Sequence, residues 1–377
     1  MIIRNAAVFT PEGSFEQKEV SIEHDQFAEY TTDHSVIDGS DCYLIPGLID
    51  IHFHGCAGYD FCDATPESLN KIAAYELKNG ITSICPSTMT LPEEALTEIC
   101  KNAVDYYSSW IPQNTARLCG INLEGPFISA KKKGAQNPDY IHIPDISMFR
   151  RLQKSALGLI RLVTLAPELD HSSEFIRSLS KDVRISLGHT DCDYETASAA
   201  FAAGARHVTH LLNAMQPFGH RAPGIVGAAL DSPDATVELI CDGIHIAPSA
   251  VRAVFSMFGA DRIILVSDSM MATGMRNGSY SLGGQAVQVT DGLATLADGT
   301  IAGSATNLMK CMKTAVSMGI PLEQAVKCAT INPARAIGQD RAYGSISVGK
   351  YADCLLLDKY TLSIQKIFLH GKEVSFS

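Results

Sequence analysis

Several features that would restrict this chain to a special class of protein are missing from its sequence. It has no apolar run as long as the roughly 18 residues that a membrane-spanning helix needs. The first residues, Met-Ile-Ile-Arg-Asn-Ala-Ala-Val, lack the basic leader, apolar core and small-residue cleavage site of a signal peptide. No internal repeat or low-complexity tract is found. The 377 residues, of which 46% are hydrophobic, therefore predict a soluble globular protein.

Positive charge is also in short supply. The chain has 30 Lys and Arg against 41 Asp and Glu, so its formal net charge is −11. Nucleic acids and anionic membranes attract proteins that carry an excess of positive charge. We expect neither as a partner. A small anionic substrate stays open, because a local group of basic side chains would be enough to bind it.

Paired cysteine motifs are absent as well. The 11 cysteines are odd in number and contain no CxxC pair. Most of them lie inside apolar runs, as Cys85, Cys119, Cys241 and Cys354 do, where buried free thiols are common. A reduced, cytoplasmic protein is the simplest interpretation.

What the sequence does contain is a series of apolar, β-rich runs at spacings that suit a strand followed by a helix. Such uninterrupted apolar runs are typical of strands buried on both faces. We therefore predict an α/β fold, a (β/α)8 TIM-like barrel, with its active site at the C-terminal ends of the strands. The eight predicted strands are 44–54, 81–87, 117–124, 159–167, 183–189, 207–213, 236–245 and 262–268.

The two ends of the chain do not resemble barrel units. Residues 1–43 and 340–377 show short alternating strands with turns, and we predict that together they form a small β-sandwich beside a barrel of residues 44–339. Residues 278–299 are rich in Gly, Thr and Asp and predict a hairpin. The predicted helices are 66–79, 92–107, 172–181, 194–203, 248–258, 307–318 and 322–329.

His52 and His54 form the most informative motif. They close the first apolar run, and residues i and i+2 of a strand point to the same face, so both imidazoles can approach one metal ion. Gly55 and Gly58 favour a tight loop next to them. The alternative is a pair of core or turn histidines.

Four further residues end predicted strands in a similar way. Glu124 precedes a Gly-Pro turn and could bind or bridge metals, or could simply face solvent. His189 and His210 offer imidazole, the commonest metal ligand, but each could be structural. We prefer His210 over His207, which would face the other side of its strand. Asp268 could transfer protons, or could cap a helix. Their joint occurrence at separate strand ends predicts a metallohydrolase.

These motifs resemble those of the amidohydrolase superfamily. Within it, they are most similar to the motifs of the deacetylases of N-acetylglucosamine 6-phosphate. The resemblance covers essentially the whole chain. The Glu-Gly-Pro-Phe and His-Leu-Leu-Asn-Ala-Met segments point to the deacetylases, whereas the two histidines at positions 52 and 54 point only to the superfamily. The matching segments are 46–55, 123–127, 188–190, 209–215, 221–224, 242–245, 267–270 and 302–304.

The resemblance implies roles for the site residues. Glu124, His189 and His210 would hold a principal divalent metal, while His52 and His54 would hold a second one. The ion would be zinc, with iron, manganese or cobalt as alternatives, at one or two per subunit. A metal-bound hydroxide would attack the acetyl group, and Asp268 would act as general base and then as general acid.

The resemblance also implies substrate contacts. Asn213, the backbone of Ala214, Arg221 and His245 would contact the phosphorylated amino sugar, and Arg221 would act in its own subunit or across a homodimer interface. Gln136 lies where many relatives carry a carbonyl-polarising histidine. It is neutral, so we expect a second metal to take over that task. For the neighbouring Lys131–Lys133 run we favour a solvated loop over contact with the phosphate.

Three functions remain open at this point. The first is hydrolysis of N-acetyl-D-glucosamine 6-phosphate to glucosamine 6-phosphate and acetate. The second is deacetylation of the galactosamine epimer or another amidohydrolase reaction. Cyclic-amide hydrolysis is disfavoured, because many of those enzymes carry a carboxylated lysine where this chain has Glu124. The third is a non-catalytic relative, which is disfavoured because every expected ligand position is filled.

Overall fold

The structure, a computed structural model, describes residues 1–375 and shows a mixed α/β protein. Short strands with turns between them make up the N-terminal part, as the sequence pattern predicts. The last of these strands, β7 (Cys42–Pro46), pairs in parallel with β2. The N-terminal group of strands therefore extends beyond residue 43, where we expected it to end. The seven strands are β1 (Ile2–Arg4), β2 (Ala7–Phe9), β3 (Phe15–Gln17), β4 (Val20–Glu23), β5 (Gln26–Ala28), β6 (Val36–Asp38) and β7 (Cys42–Pro46).

The middle of the chain is dominated by parallel strands. They pair in the orders β12-β11-β8 and β13-β14-β15-β16-β17-β18, while β9 and β10 form a small antiparallel pair. Each of the eight predicted runs contains at least one of them, and the third run contains two. The strands are β8 (Leu48–Asp50), β9 (Gly55–Cys56), β10 (Tyr59–Asp60), β11 (Ile81–Ile84), β12 (Arg117–Leu118), β13 (Ile121–Glu124), β14 (Ile160–Leu165), β15 (Arg184–Leu187), β16 (His207–Val208), β17 (Thr236–Ile240) and β18 (Ile263–Val266).

The prediction of one continuous strand over residues 44–54 is wrong. Its first part belongs to β7, which pairs with β2 and β22, and its middle forms β8, which pairs with β11. The chain changes sheets at Gly47, where a β-carbon would lie 2.2 Å from Thr82 Oγ1. His52 and His54 therefore follow the end of β8 instead of lying within a strand.

Backbone hydrogen bonds connect the two parallel sheets to each other. Ser87 and Asn122 form a parallel bridge on one side. On the other side the amide of Asp268 donates to the carbonyl of His52 over 2.9 Å, and the amide of His54 donates to Ser269 over 2.7 Å. The segments that follow β8 and β18 are thereby held together. The carboxyl ends of the parallel strands consequently face a common region.

The last part of the chain adds a hairpin unit and returns to the N-terminal strands. β19, β20 and β21 form a three-stranded antiparallel sheet, which confirms the predicted hairpin. β22 pairs antiparallel with β7, so both ends of the chain share one sheet of order β24-β23-β22-β7-β2-β3. The strands are β19 (Gly278–Leu282), β20 (Gln285–Thr290), β21 (Leu293–Thr295), β22 (Cys354–Asp358), β23 (Ile364–Leu369) and β24 (Lys372–Glu373).

Within residues 1–375, ten α-helices connect these strands, and seven of them match predicted helices within two residues at each end. The sequence interpretation missed α3, α6 and α10. Nearly every residue of α6 is buried, so it shows no alternation of apolar and polar faces. The helices are α1 (Pro66–Lys78), α2 (Glu93–Ser109), α3 (Ile146–Ser155), α4 (Ser172–Leu179), α5 (Tyr194–Ala203), α6 (Gly224–Leu230), α7 (Pro248–Phe258), α8 (Leu308–Ser317), α9 (Leu322–Ala329) and α10 (Ile331–Ala336).

Among the described residues, none of these helices is both long and apolar enough to cross a membrane. Four short 3-10 segments complete the backbone: Phe61–Asp63, Ala130–Lys132, Pro138–Tyr140 and Ala260–Arg262.

An ionisable side chain is buried against the parallel strands without a hydrogen-bond partner among the described residues. Glu76 in α1 is fully buried, and neither of its carboxylate oxygens has a hydrogen-bond partner among the described residues. Burial raises the pKa of Glu76 to about 8, and the negative charge of Asp50 adds to the effect. The folded protein therefore keeps this carboxyl protonated under conditions in which the unfolded chain releases the proton.

This difference predicts a pH-dependent loss of stability. Between about pH 4.5 and about pH 8 the folded state binds the extra proton, so the free energy of unfolding falls as the pH rises through that window. The variant Glu76→Gln keeps the shape without the ionisation. We expect its stability relative to wild type to increase from about pH 5 to about pH 8, by up to about 1.4 kcal/mol per pH unit. Urea unfolding of both proteins at each pH measures this difference.

The exposed Glu98 supplies the control for this prediction. Glu98→Gln should change the pH dependence little, because its side chain is 65% exposed. Parallel stability curves for wild type and Glu76→Gln would contradict the assignment of Glu76 as a buried neutral acid.

Candidate active site

Six of the residues predicted for chemistry come together at the carboxyl ends of the parallel strands. All six side chains are buried, although they belong to segments far apart in the sequence. Glu124 is the last residue of β13, and the other five follow the ends of their strands within a few residues. The six are His52 and His54 after β8, Glu124, His189 after β15, His210 after β16, and Asp268 after β18.

Glu124 is the centre of this group. Its Oε1 atom lies 3.3 Å from His52 Nε2, 3.1 Å from His189 Nε2 and 3.2 Å from His210 Nε2. Its Oε2 atom lies 3.1 Å from His54 Nε2. One carboxylate therefore faces four imidazoles, with three on one oxygen and one on the other.

These separations fit a metal centre. A tetrahedral ion with ligands at about 2.0–2.1 Å places neighbouring ligand atoms about 3.3 Å apart. The contacts of Glu124 Oε1 have this length, and the Nε2 atoms of His189 and His210 are 3.1 Å from each other. The Nε2 atom of His52 is buried and has no hydrogen-bond partner among the described residues. A divalent cation would satisfy it, so the residues present fit a metal ion.

The side chains group into two overlapping sets of ligand atoms. Within each set, all the atoms lie within 4.8 Å of one another. One set contains His52, Glu124 and His210, and the other contains His52, His54 and Asp268. His189 reaches the first set through its contacts with Glu124 and His210. This arrangement offers ligands for one ion or for two adjacent ions.

The electrostatics favour bound positive charge. Burial alone would raise the pKa of Glu124, but His52, His189 and His210 hold it well below its usual range. Burial opposes a charged imidazole at His54, yet Asp268 and Glu124 raise its pKa to about 10. In the protein alone, protons on the imidazoles compensate the carboxylates. A metal ion replaces those protons, so its binding should weaken as the pH falls.

Asp268 faces the pair of histidines that follows β8. Its Oδ1 atom lies 3.4 Å from His54 Nε2 and 3.7 Å from His52 Nε2. Burial would raise the pKa of Asp268, but the hydrogen bond from His54 and the nearby charge of His52 lower it. An ionised carboxylate in this position can accept a proton from a water molecule at the ligand group.

The backbone at three of these residues is strained. His189, His210 and Asp268 have φ angles of 47°, 26° and 49°, in the left-handed region that residues with a β-carbon rarely adopt. Each such residue costs on the order of 1–3 kcal/mol, and the cost is typical of functional sites. The sharp turn ends the strand and directs each side chain towards the shared centre.

Two buried acids support the site and were missed in the sequence. Glu238 lies in β17, with His52 Nδ1 2.7 Å from its Oε2 atom and His207 Nε2 3.0 Å from its Oε1 atom. Asp50 accepts hydrogen bonds from the amide of His52 over 3.2 Å and from the Ser267 hydroxyl over 2.5 Å. Both acids interrupt fully buried apolar strands. That interruption was a usable signal, because buried acids are almost always paired.

Gln136 contacts the central carboxylate directly. Its Nε2 atom donates to Glu124 Oε2 over 3.2 Å, and its Oε1 atom accepts from the amide of Thr90 over 2.7 Å. The loop containing Gln136 also touches a second site residue, because His189 Nδ1 donates to the carbonyl of Lys132 over 2.8 Å. Gln136 is thus placed beside the ligand group and orients Glu124.

A cavity of about 560 Å³ opens above the ligand group. Gln136, Asn213, Ala214 and His245, whose contact with substrate stays a prediction, line it, and so does the Lys131–Lys133 run. Arg221 is exposed and does not line this cavity. His245 Nδ1 lies 2.7 Å from Asp242 Oδ2, and this carboxylate raises the pKa of His245 although burial opposes the charge.

Comparison with known proteins identifies relatives over most of the chain. The sequence model of the amidohydrolase family matches residues 43–374. The N-acetylglucosamine-6-phosphate deacetylase of Bacillus subtilis is 40% identical over 324 residues, covering 84% of this chain and 81% of that protein. The N-acetylgalactosamine-6-phosphate deacetylase of Escherichia coli O157:H7 is 35% identical over 335 residues, covering 88% of each.

The fold has solved counterparts as well. A mutant of N-acetyl-D-glucosamine-6-phosphate deacetylase from Mycobacterium smegmatis, in complex with N-acetyl-D-glucosamine-6-phosphate, superimposes with a TM-score of 0.91. It is 31% identical, and the match covers 100% of this chain and 99% of that one.

The shared carboxylate generates a direct prediction about metal binding. Glu124→Gln should lower the affinity for Zn²⁺ by more than about 100-fold, because even the outer partners of metal ligands contribute 10–100-fold. Metal retained after dialysis against a graded chelator measures the change. The exposed Glu174 serves as control, and Glu174→Gln should retain metal as wild type does. Equal retention in both variants would contradict the role of Glu124.

Proposed function

The chain belongs to the amidohydrolase family, and from this membership and the geometry of the site we propose that it hydrolyses the acetamide of N-acetyl-D-glucosamine 6-phosphate to glucosamine 6-phosphate and acetate. The observation that carries the proposal is the convergence of three imidazoles on Glu124 Oε1, with Asp268 beside them, at the floor of the cavity. Deacetylases of this substrate are similar to the chain over most of its length.

The protein's own groups account for the proton transfers. A divalent metal held by Glu124 and the imidazoles would supply Lewis acidity, lowering the pKa of water towards about 7 and polarising a carbonyl. Asp268 is ionised and accepts the proton of the attacking water at its carboxylate. It then delivers that proton to the sugar nitrogen, because an amine leaves an amide carbon readily only when it is protonated. Gln136 keeps Glu124 oriented throughout.

The phosphate is the group that distinguishes this substrate from other amides. Burial opposes a charge on His245, but Asp242 raises its pKa and so favours the positively charged form; His245 lines the cavity together with Asn213 and Ala214. Arg221 offers a planar guanidinium, which binds phosphate oxygens bidentately. Its exposure outside the cavity supports a homodimer in which Arg221 of one subunit reaches the site of the other.

We propose two metal ions per subunit, with zinc as the first choice and iron, manganese or cobalt as alternatives. Both His52 and His54 are present, and Glu124 uses both of its oxygens, with Oε1 facing His52, His189 and His210 and Oε2 facing His54. Imidazole and carboxylate ligands suit all four metals. The cytoplasmic location stays a prediction from the cysteine pattern.

The proposed architecture is a closed (β/α)8 barrel of residues 44–339 with a small β-sandwich of residues 1–43 and 340–377, of which residues 376 and 377 lie outside the described part of the chain. The hydrogen bonds between the segments after β8 and β18 support closure of the barrel. The sheet that joins both ends of the chain supports the second unit, as does the apolar cluster around Ile3, Leu44 and Phe368.

A second candidate is the galactosamine epimer. The similarity to the N-acetylgalactosamine-6-phosphate deacetylase favours testing it, because that protein matches as much of the chain as several glucosamine relatives do. A non-catalytic role is disfavoured, since all five predicted metal ligands and Asp268 meet at one site.

The choice between epimers predicts a specific assay result. Acetate release from N-acetylglucosamine 6-phosphate should exceed that from N-acetylgalactosamine 6-phosphate by at least about 10-fold in kcat/KM, equivalent to about 1.4 kcal/mol in transition-state binding. Both substrates are assayed with the same metal-loaded sample. Preference for the galactosamine substrate would replace the proposal by its alternative.

If Asp268 transfers protons, its substitution should reduce turnover without removing the metal. Asp268→Asn should lower kcat by about 10²–10⁴-fold, the usual contribution of a general acid–base, while metal content changes little. Asp170 is exposed, does not line the cavity and supplies the control, so Asp170→Asn should keep nearly full activity. Unchanged turnover in Asp268→Asn would remove Asp268 from the mechanism.

A further inference from the structure

Glu238 joins two of the candidate metal ligands from outside the ligand group. Its Oε2 atom is 2.7 Å from His52 Nδ1 and accepts from the backbone amide of His210 over 3.0 Å. Its Oε1 atom is 3.0 Å from His207 Nε2. The side chain is fully buried in β17. One carboxylate therefore faces the segments after β8 and β16 at the same time.

The contact fixes the state of the His52 ring. A carboxylate only accepts hydrogen bonds, so the His52 nitrogen that faces Glu238 must carry the hydrogen. In the neutral ring the opposite nitrogen, Nε2, then carries the lone pair on the side of Glu124 Oε1, which is 3.3 Å away. His52 needs this tautomer to bind a metal ion through Nε2. A carboxylate that accepts the hydrogen bond from Nδ1 also raises the basicity of the imidazole.

The four imidazoles of the site differ in the hydrogen-bond partner of their second ring nitrogen, Nδ1. His189 Nδ1 donates to the carbonyl of Lys132. The Nδ1 atoms of His54 and His210 have no hydrogen-bond partner within residues 1–375. His52 is therefore the only one of the four whose second nitrogen contacts a charged side chain in the described part of the chain.

We propose that Glu238 is the positioning residue that makes His52 a metal ligand, and that it thereby determines whether the chain retains a second ion. The inference rests on the metal centre of the proposed function. Glu238 belongs to neither group of ligand atoms and does not line the cavity, so it would act through His52. Removing its acceptor oxygen frees the His52 ring to take the wrong tautomer or orientation.

Two substitutions separate the charge of Glu238 from its hydrogen bonds. In Glu238→Gln the oxygen still accepts from His52 and the amide of His210. The new amide group can donate to His207 Nε2, because His207 Nδ1, 2.6 Å from Thr236 Oγ1, can then carry the ring hydrogen. Glu238→Leu has a similar volume and removes every acceptor.

The expected effects are graded and selective for one ion. Glu238→Gln should weaken retention of the second ion by about 10-fold and Glu238→Leu by about 100-fold, the range found for outer partners of metal ligands. The ion held by Glu124, His189 and His210 should be affected much less. The visible absorption of Co²⁺-loaded protein should change in step, because it reports the geometry around the ion.

The experiment measures Zn²⁺ per chain by elemental analysis during titration with a chelator, together with urea unfolding. Glu76→Gln is the control, since Glu76 is an equally buried acid that belongs to neither group of ligand atoms and does not line the cavity. It should retain two ions as wild type does. Stepwise loss of one ion in the Glu238 variants alone supports the inference.

Three outcomes would overturn it. The first is retention of both ions with wild-type affinity in both Glu238 variants. The second is equal loss of both ions in proportion to lost stability, which marks a purely structural residue. The third is a wild-type protein that holds a single ion. If Glu238→Leu does not fold, Glu238→Gln decides alone. Acetate release from the same wild-type sample tests the deacetylase proposal separately.

Discussion

The site depends on one carboxylate oxygen placed among three imidazole nitrogens. Glu124 Oε1 lies within 3.3 Å of His52, His189 and His210, and all four side chains are buried. In water, charges at such distances interact weakly, but in a buried site each unpaired group costs several kcal/mol. Protons or a cation must therefore compensate Glu124. The surrounding residues make the cation the better solution, because they point nitrogen lone pairs at one place.

The fold brings these side chains together because the carboxyl ends of the parallel strands lie side by side. β8, β13, β15, β16 and β18 each end one to three residues before a site side chain or at it. Left-handed backbone at His189, His210 and Asp268 then turns these side chains inward at an energetic cost. Hydrogen bonds from outside, such as those of Asp50 and Gln136, keep the ligands from relaxing away from each other.

Much of this could be predicted from the sequence. The eight apolar runs identified the parallel strands, and their polar ends identified all six residues that meet at the ligand group. The boundaries failed where tertiary pairing decided them, as at Gly47, where the chain passes from one sheet to another. Glu238 was missed because no local pattern indicates that its partners, His52 and His207, would be neighbours. Helix α6 was missed because burial on nearly all sides removes helical periodicity.

Direct location of the metal tests the central claim most sharply. Crystals of the Zn²⁺-loaded protein, measured on both sides of the zinc absorption edge, give the ion position independently of the protein atoms. We expect an anomalous peak about 2.0–2.1 Å from His189 Nε2, His210 Nε2 and a Glu124 oxygen. A peak elsewhere on the protein, with Glu124 bound only to protonated histidines, would contradict it.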